Sequence, residues 1–227
     1  RSWADGEAVI RLGQDLSFSG KAQDFFAPSD WQALDRTDTD LGGSNALLLS
    51  LTGAKPSELV LALGKDGKAY LLDRQNLGGI GGSIAARKVS SGPIRTAPAA
   101  FPLGDEMRVA FQGRGVGCPG GTSGDLTVIA IAPGAPPTLR VAWCATENGR
   151  GSPIVTTTDG KANPIVWAVG AEGDNRLHGF RGDTGAVVFS GGDPDDAMGE
   201  VRRFQTLIAA GERLYVAGDG HIYAFAF

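Results

Sequence analysis

Histidine, cysteine and methionine occur only twice each in this sequence of 227 residues, and aromatic side chains make up 7% of it. Two histidines, His178 and His221, cannot furnish a histidine-rich metal centre or a duplicated histidine-based catalytic set. Lysine and arginine are scattered, and the formal net charge is −4. Without a basic stripe, the counterion release that drives nucleic-acid binding has no source, and nucleic acid is set aside as a partner. No apolar run approaches the roughly 18 residues of a membrane span. The sequence opens on Arg1 with neither an initiator methionine nor a signal peptide, which reads as a processed or truncated product. No long stretch free of glycine and proline carries helical apolar spacing, which argues against a helical bundle.

Glycine is what abounds, with 35 residues in a chain that is 42% hydrophobic. That combination predicts one globular unit with a buried core, all-β, made of many short strands joined by turns. Four segments share the order strand, glycine turn, strand: Leu59-Val-Leu-Ala-Leu-Gly64, Met107-Arg-Val-Ala-Phe-Gln-Gly113, Ile165-Val-Trp-Ala-Val-Gly170 and Leu214-Tyr-Val-Ala-Gly218, each followed by a second apolar run. The glycines recur at intervals of about 49, 57 and 48 residues, close to the length of one four-stranded propeller blade. The longer interval carries a long loop at 114–124.

Each pair is preceded by a short apolar strand, at 46–49, 97–101, 153–156 and 206–210, whose small and β-branched residues suit an innermost position. Outer strands follow the first three pairs at 86–89, 139–143 and 186–189. The expected fold is a β-propeller of four-stranded antiparallel blades, with blades at about 42–95, 96–148, 149–199 and 200–227 and an outer strand at 7–13. These 227 residues form a single propeller domain or the C-terminal part of one, supplying about four blades of a larger seven- or eight-bladed ring. The strand at 7–13 either closes a small four-bladed ring or belongs to a blade begun upstream. Glycine-rich turns are expected on one rim and the longer loops on the other.

Several segments resemble the pyrroloquinoline-quinone-like (quinoprotein alcohol dehydrogenase-like) propeller repeat. They are Tyr70-Leu-Leu-Asp73 with Leu77-Gly-Gly79, Leu177-His-Gly-Phe-Arg-Gly-Asp-Thr-Gly185 with Phe189, and the terminal hairpin from Leu214 to Phe225. Phe26-Ala-Pro-Ser-Asp-Trp31 and Asp38-Thr-Asp-Leu-Gly-Gly-Ser44 are similar to the lead-in to a blade in secreted bacterial propellers of this group. The resemblance implies an aromatic closing each repeat and docking on the next blade, a position held here by Phe189 and Trp143. It also implies, in the family's enzymes, an adjacent cysteine pair, a stacking Trp and calcium beside the quinone. This chain has no adjacent cysteines.

Cys118 and Cys144 read as a disulfide tying the long loop to the end of the outer strand at 139–143, with two separate buried thiols as the alternative. Asp35, Asp38 and Asp40 offer oxygen ligands of the kind calcium prefers, but their spacing also suits turn and cap carboxylates. Asp193, Asp195 and Asp196 read as a solvated connection. His178 shares its repeat position with Tyr70, Ile129 and Tyr223, which suggests packing, and His221 follows a hairpin turn near solvent. The glycine-rich stretch 113–124 lacks the Gly-Lys-Ser/Thr of a phosphate loop, and no Gly-x-Ser-x-Gly occurs, so no catalytic residue is named. Trp3, Trp31, Trp143 and Trp167 are spread as blade-packing residues would be.

The expected function is a non-catalytic secreted or periplasmic scaffold that binds a protein or ligand, with the long loop as its contact surface. Its partner would be a missing N-terminal half or a partner chain completing the ring. The alternative is a fragment of a quinone-dependent dehydrogenase, for which pyrroloquinoline quinone and calcium would be the cofactors.

Overall fold

The computed structural model describes residues 3, 4, 6–205 and 207–226. Of the innermost strand expected at 206–210, Thr206 lies outside them. Short apolar runs bounded by turns dictate the architecture, because a strand buried on both faces carries no polar alternation. Leu59, Val60, Leu61, Ala62 and Leu63 are all buried, as are Leu126 to Ile131.

The first sheet joins β3 (Leu47–Ser50), β4 (Glu58–Leu63), β5 (Lys68–Asp73) and β7 (Ala85–Lys88) in that order. A second runs β8 (Ala99–Leu103), β9 (Glu106–Gln112), β10 (Leu126–Ala132) and β11 (Thr138–Ala145). A third runs β12 (Ile154–Thr156), β13 (Ile165–Val169), β14 (Leu177–Arg181) and β15 (Val187–Ser190). The fourth comprises β16 (Leu207–Ala210), β17 (Arg213–Gly218) and β18 (His221–Ala226). All pairings within these four sheets are antiparallel. The chain is a β-propeller array of four-stranded blades, and its first three blades carry their inner, central and outer strands within about two residues of the sequence expectation.

Because side chains alternate across a strand, each blade has two apolar faces, and it can dry them only by stacking on its neighbours. Leu61, Leu63 and Leu71 of the first blade meet Val109, Phe111 and Ile129 of the second. Ala110, Leu126 and Val128, on the second blade's other face, meet Val166 and Phe180 of the third. Trp167, Val169 and Leu177 then meet Leu207, Leu214 and Val216 of the fourth.

The N-terminal residues cover the first blade's remaining face. Here β1 (Val9–Ile10) pairs antiparallel with β2 (Phe25–Ala27), which pairs parallel with β6 (Gly79–Ile80), a piece of the connection between β5 and β7. Phe26 and Leu41 pack on Val60, Ala62, Tyr70 and Leu72. Arg11 donates to the carbonyls of Arg74 and Gln75 at 2.8 and 3.0 Å. The lead-in also carries a six-residue helix, α1 (Trp31–Arg36).

Two expectations are corrected. The register places Thr127, opposite Phe111, at the repeat position of Tyr70, His178 and Tyr223, not Ile129. The long loop hid the offset of two residues. The long connections also share a rim with the glycine turns: Val89 and Ser90 donate to the Gly67 carbonyl, Gly151 to Val169 and Asp219 to Glu200.

Candidate functional site

In the first three blades the repeat position just defined anchors the inner turn. Tyr70 donates its hydroxyl to Asp66 at 2.6 Å, Thr127 donates to the Gly113 carbonyl at 2.8 Å, and His178 Nε2 lies 2.9 Å from Asp174. His178 is thereby held inside the blade beside its own turn, 5% exposed. His221 is exposed, with Nδ1 3.1 Å from the Asp219 carbonyl.

Blade-to-blade connections converge on these turns and enclose a cleft of about 400 Å³. Its wall carries Arg95, Arg114, Arg150 and Arg203 against one carboxylate, Asp125. Both oxygens of Asp125 are committed, accepting the Glu147 amide at 2.7 Å and the Gly149 amide at 3.0 Å. Glu172 accepts from Arg203 at 2.6 Å and lies 3.5 Å from Arg150, so two of the four guanidiniums are oriented by the third blade's turn. The Arg203 hydrogen bonds hold the Glu172 carboxyl below its ordinary range. Arg95 and Arg114 have no ion pair or side-chain hydrogen bond among the described residues. Thr96, 2% exposed, forms part of the wall, and its buried hydroxyl has no partner.

Beside the cleft lies Glu147, wholly buried, with neither carboxylate oxygen hydrogen-bonded. Burial, reinforced by the charge of Asp125, pushes its carboxyl well above the ordinary value. A buried carboxyl in this setting holds its proton.

Cys118 and Cys144 form a disulfide with Cα atoms 5.8 Å apart, pinning the loop 114–124 to β11. Gly115 fits against both sulfurs, and a Cβ there would lie 2.3 Å from Cys144 Sγ. The loop's tip, from Pro119 to Ser123, is exposed. Asp38 and Asp40 converge on one cation that the chain itself supplies: Lys65 Nζ lies 3.3 Å from Asp38 and is ion-paired with Asp40. Its hydrogen bond holds the Asp40 carboxyl below the usual range. Asp35 stands exposed on α1. Asp193 and Asp196 bond each other's backbone in a capped turn, with the Asp193 amide donating to Asp196 at 2.8 Å.

Trp3, Trp143 and Trp167 are packed. Trp3 stacks on Phe25 with ring centroids 3.9 Å apart. Trp143, on the outer strand β11, crosses to the third blade, donating to the Gly182 carbonyl at 2.9 Å beneath Gly185. Trp167 donates to Thr156 at 2.8 Å and lies against Gly179.

The residues present do not fit a quinone with its calcium. The two cysteines are bonded to each other across 26 residues, no three carboxylate, histidine or cysteine groups converge on a metal position among the described residues, and the buried indoles are closed under glycines. The cleft was missed by sequence reading because its four arginines come from four different connections.

Stacked antiparallel four-stranded sheets define the class as a β-propeller. Several solved structures are similar to the chain, and two of them are as follows. One is BamB from Moraxella catarrhalis, 16% identical, covering 81% of this chain and 49% of that one, with a TM-score of 0.44. The other is the computationally designed Ika4 protein, 15% identical, covering 79% of this chain and 97% of that one, with a TM-score of 0.45. The chain thus spans about half the length of BamB. No family model and no curated protein matches it.

Proposed function

We propose that the chain is a propeller scaffold of the quinoprotein-like repeat type that works by docking other polypeptides, and that it lies outside the cytoplasm. One observation carries this reading. The outward face of the fourth blade reproduces, position by position, the face that the third blade buries. By register, Ile208, Tyr215, Ala217 and Ile222 stand where the third blade has Ile154, Trp167, Val169 and Leu177. Those four pack against the fourth blade, whereas Ile208 is 50% and Ile222 76% exposed. Burying one such isoleucine contributes roughly 1.5–3 kcal/mol, so the bare face favours another sheet of the same kind.

That sheet belongs to a missing N-terminal half or to a partner chain completing the ring, with residues 1–227 forming one propeller domain or part of one. The Trp143 contact on the Gly182–Gly185 turn supports the repeat type. The disulfide supports an oxidising compartment, and no helix among the described residues is long and apolar enough to cross a membrane.

In the absence of such a sheet, two copies should cover the face by pairing through it. Sedimentation velocity is expected to show a concentration-dependent dimer that I208K/I222K converts to monomer with an unchanged circular dichroism spectrum. A chain that stays monomeric at every accessible concentration contradicts the reading.

A further inference from the structure

The arginine-lined cleft is separate from the fourth blade's bare face and calls for a different ligand. Two of its guanidiniums, Arg95 and Arg114, are uncommitted, and Arg150 and Arg203 are held in place by Glu172. Planar guanidinium forks match carboxylates in bidentate pairs, and a fixed fork loses less freedom on binding than a free one.

Thr96 and Arg203 in the cleft's wall are followed in the chain by Ala97 and Phe204, which line a second groove of about 610 Å³ along the innermost strands together with Pro98, Pro153, Ile154 and Leu207. An extended polypeptide can place carboxylates at the arginines and an apolar side chain on this groove at once, whereas a small anion reaches only the arginines. Phe204, 72% exposed, presents an apolar surface at the same place.

We propose that this cleft and the groove next to it bind an extended, acidic polypeptide segment of a partner, with carboxylates at Arg95, Arg114, Arg150 and Arg203 and a following apolar residue against Phe204. Positive charge focused in a cleft of a chain whose net charge is −4 would select such a segment over the protein's own surface. The inference rests on the scaffold reading for the nature of its partner but not on the fourth-blade face.

Fluorescence anisotropy with a labelled Glu-Asp-Glu-Leu-Phe-Leu peptide and the whole chain tests it. Saturable binding is expected, weakening severalfold between about 50 and about 200 mM salt as the charges are screened. It should fall at least about tenfold in R95E/R114E and by a smaller factor in R95Q/R114Q, which removes the two charges without reversing them. It should be unchanged in I208K/I222K, so that loss of the dimer and loss of peptide binding remain separate results. No saturable binding, equal affinity for the peptide in R95Q/R114Q, or equally tight competition by inorganic phosphate, which would mark a simple anion site, each overturns the proposal.

Discussion

Replacing Trp143 with alanine is expected to destabilise the protein by about 3–5 kcal/mol, the range for truncating a large buried aromatic. The indole is 5% exposed and bridges two blades, donating to the Gly182 carbonyl at 2.9 Å. Its ring lies under Gly185, whose φ of +75° already favours glycine and whose Cβ, if present, would stand 2.6 Å from the indole. G185A should therefore be strongly destabilising in its own right. Part of that cost is the collision with Trp143, so it disappears once the indole is gone. A denaturant double-mutant cycle should show W143A/G185A costing less than the sum of the single changes. Strict additivity, or a W143A cost below about 1 kcal/mol, would remove Trp143 as the element that locks the second blade to the third.

Glu147 gives the second large effect, and its sign follows from linkage. Burial raises the carboxyl's value in the folded protein above its value in the unfolded chain. Below the unfolded value the group is neutral in both states and has no linkage effect. Above it, the unfolded chain releases a proton that the folded protein retains, so stability falls by about 1.4 kcal/mol per pH unit until the folded value is passed. E147Q cannot ionise. The variant should match the parent near about pH 4 and become progressively more stable than it towards neutrality, as read from denaturant midpoints at a series of pH values. A difference that does not change with pH would mean that Glu147 is ionised in the folded protein.

The blades were legible because their physics is local. A strand buried on both faces must be an unbroken apolar run, and Leu59 to Leu63 or Val128 to Ile131 can be recognised without knowing their neighbours. Gly64, Gly113, Gly170 and Gly218 mark the turns that end such runs. The pairing of Cys118 with Cys144 followed from an even count in a thiol-poor chain, with separate thiols left open. What escaped was non-local. The sheet of Val9–Ile10, Phe25–Ala27 and Gly79–Ile80 uses strands too short to show a period, and its parallel pair joins residues more than fifty positions apart. Glu147 looks like an ordinary acid in a connection, and only the folding of two blade turns around it makes it buried. Asp38 and Asp40 looked like oxygen ligands waiting for a cation, and the structure brings Lys65 to them.

Leu177 and Ile222 hold equivalent repeat positions with opposite environments, and thermal unfolding of L177D beside I222D, at a concentration where the chain is monomeric, tests the stacking of the blades most directly. Leu177 is fully buried between the third and fourth blades, so an unpaired carboxylate there should abolish cooperative unfolding or lower stability by more than about 4 kcal/mol. Ile222, at the same repeat position on the bare face, should tolerate aspartate to within about 0.5 kcal/mol. Comparable losses at the two positions would contradict the stacking order and the free face on which the proposed scaffold role depends.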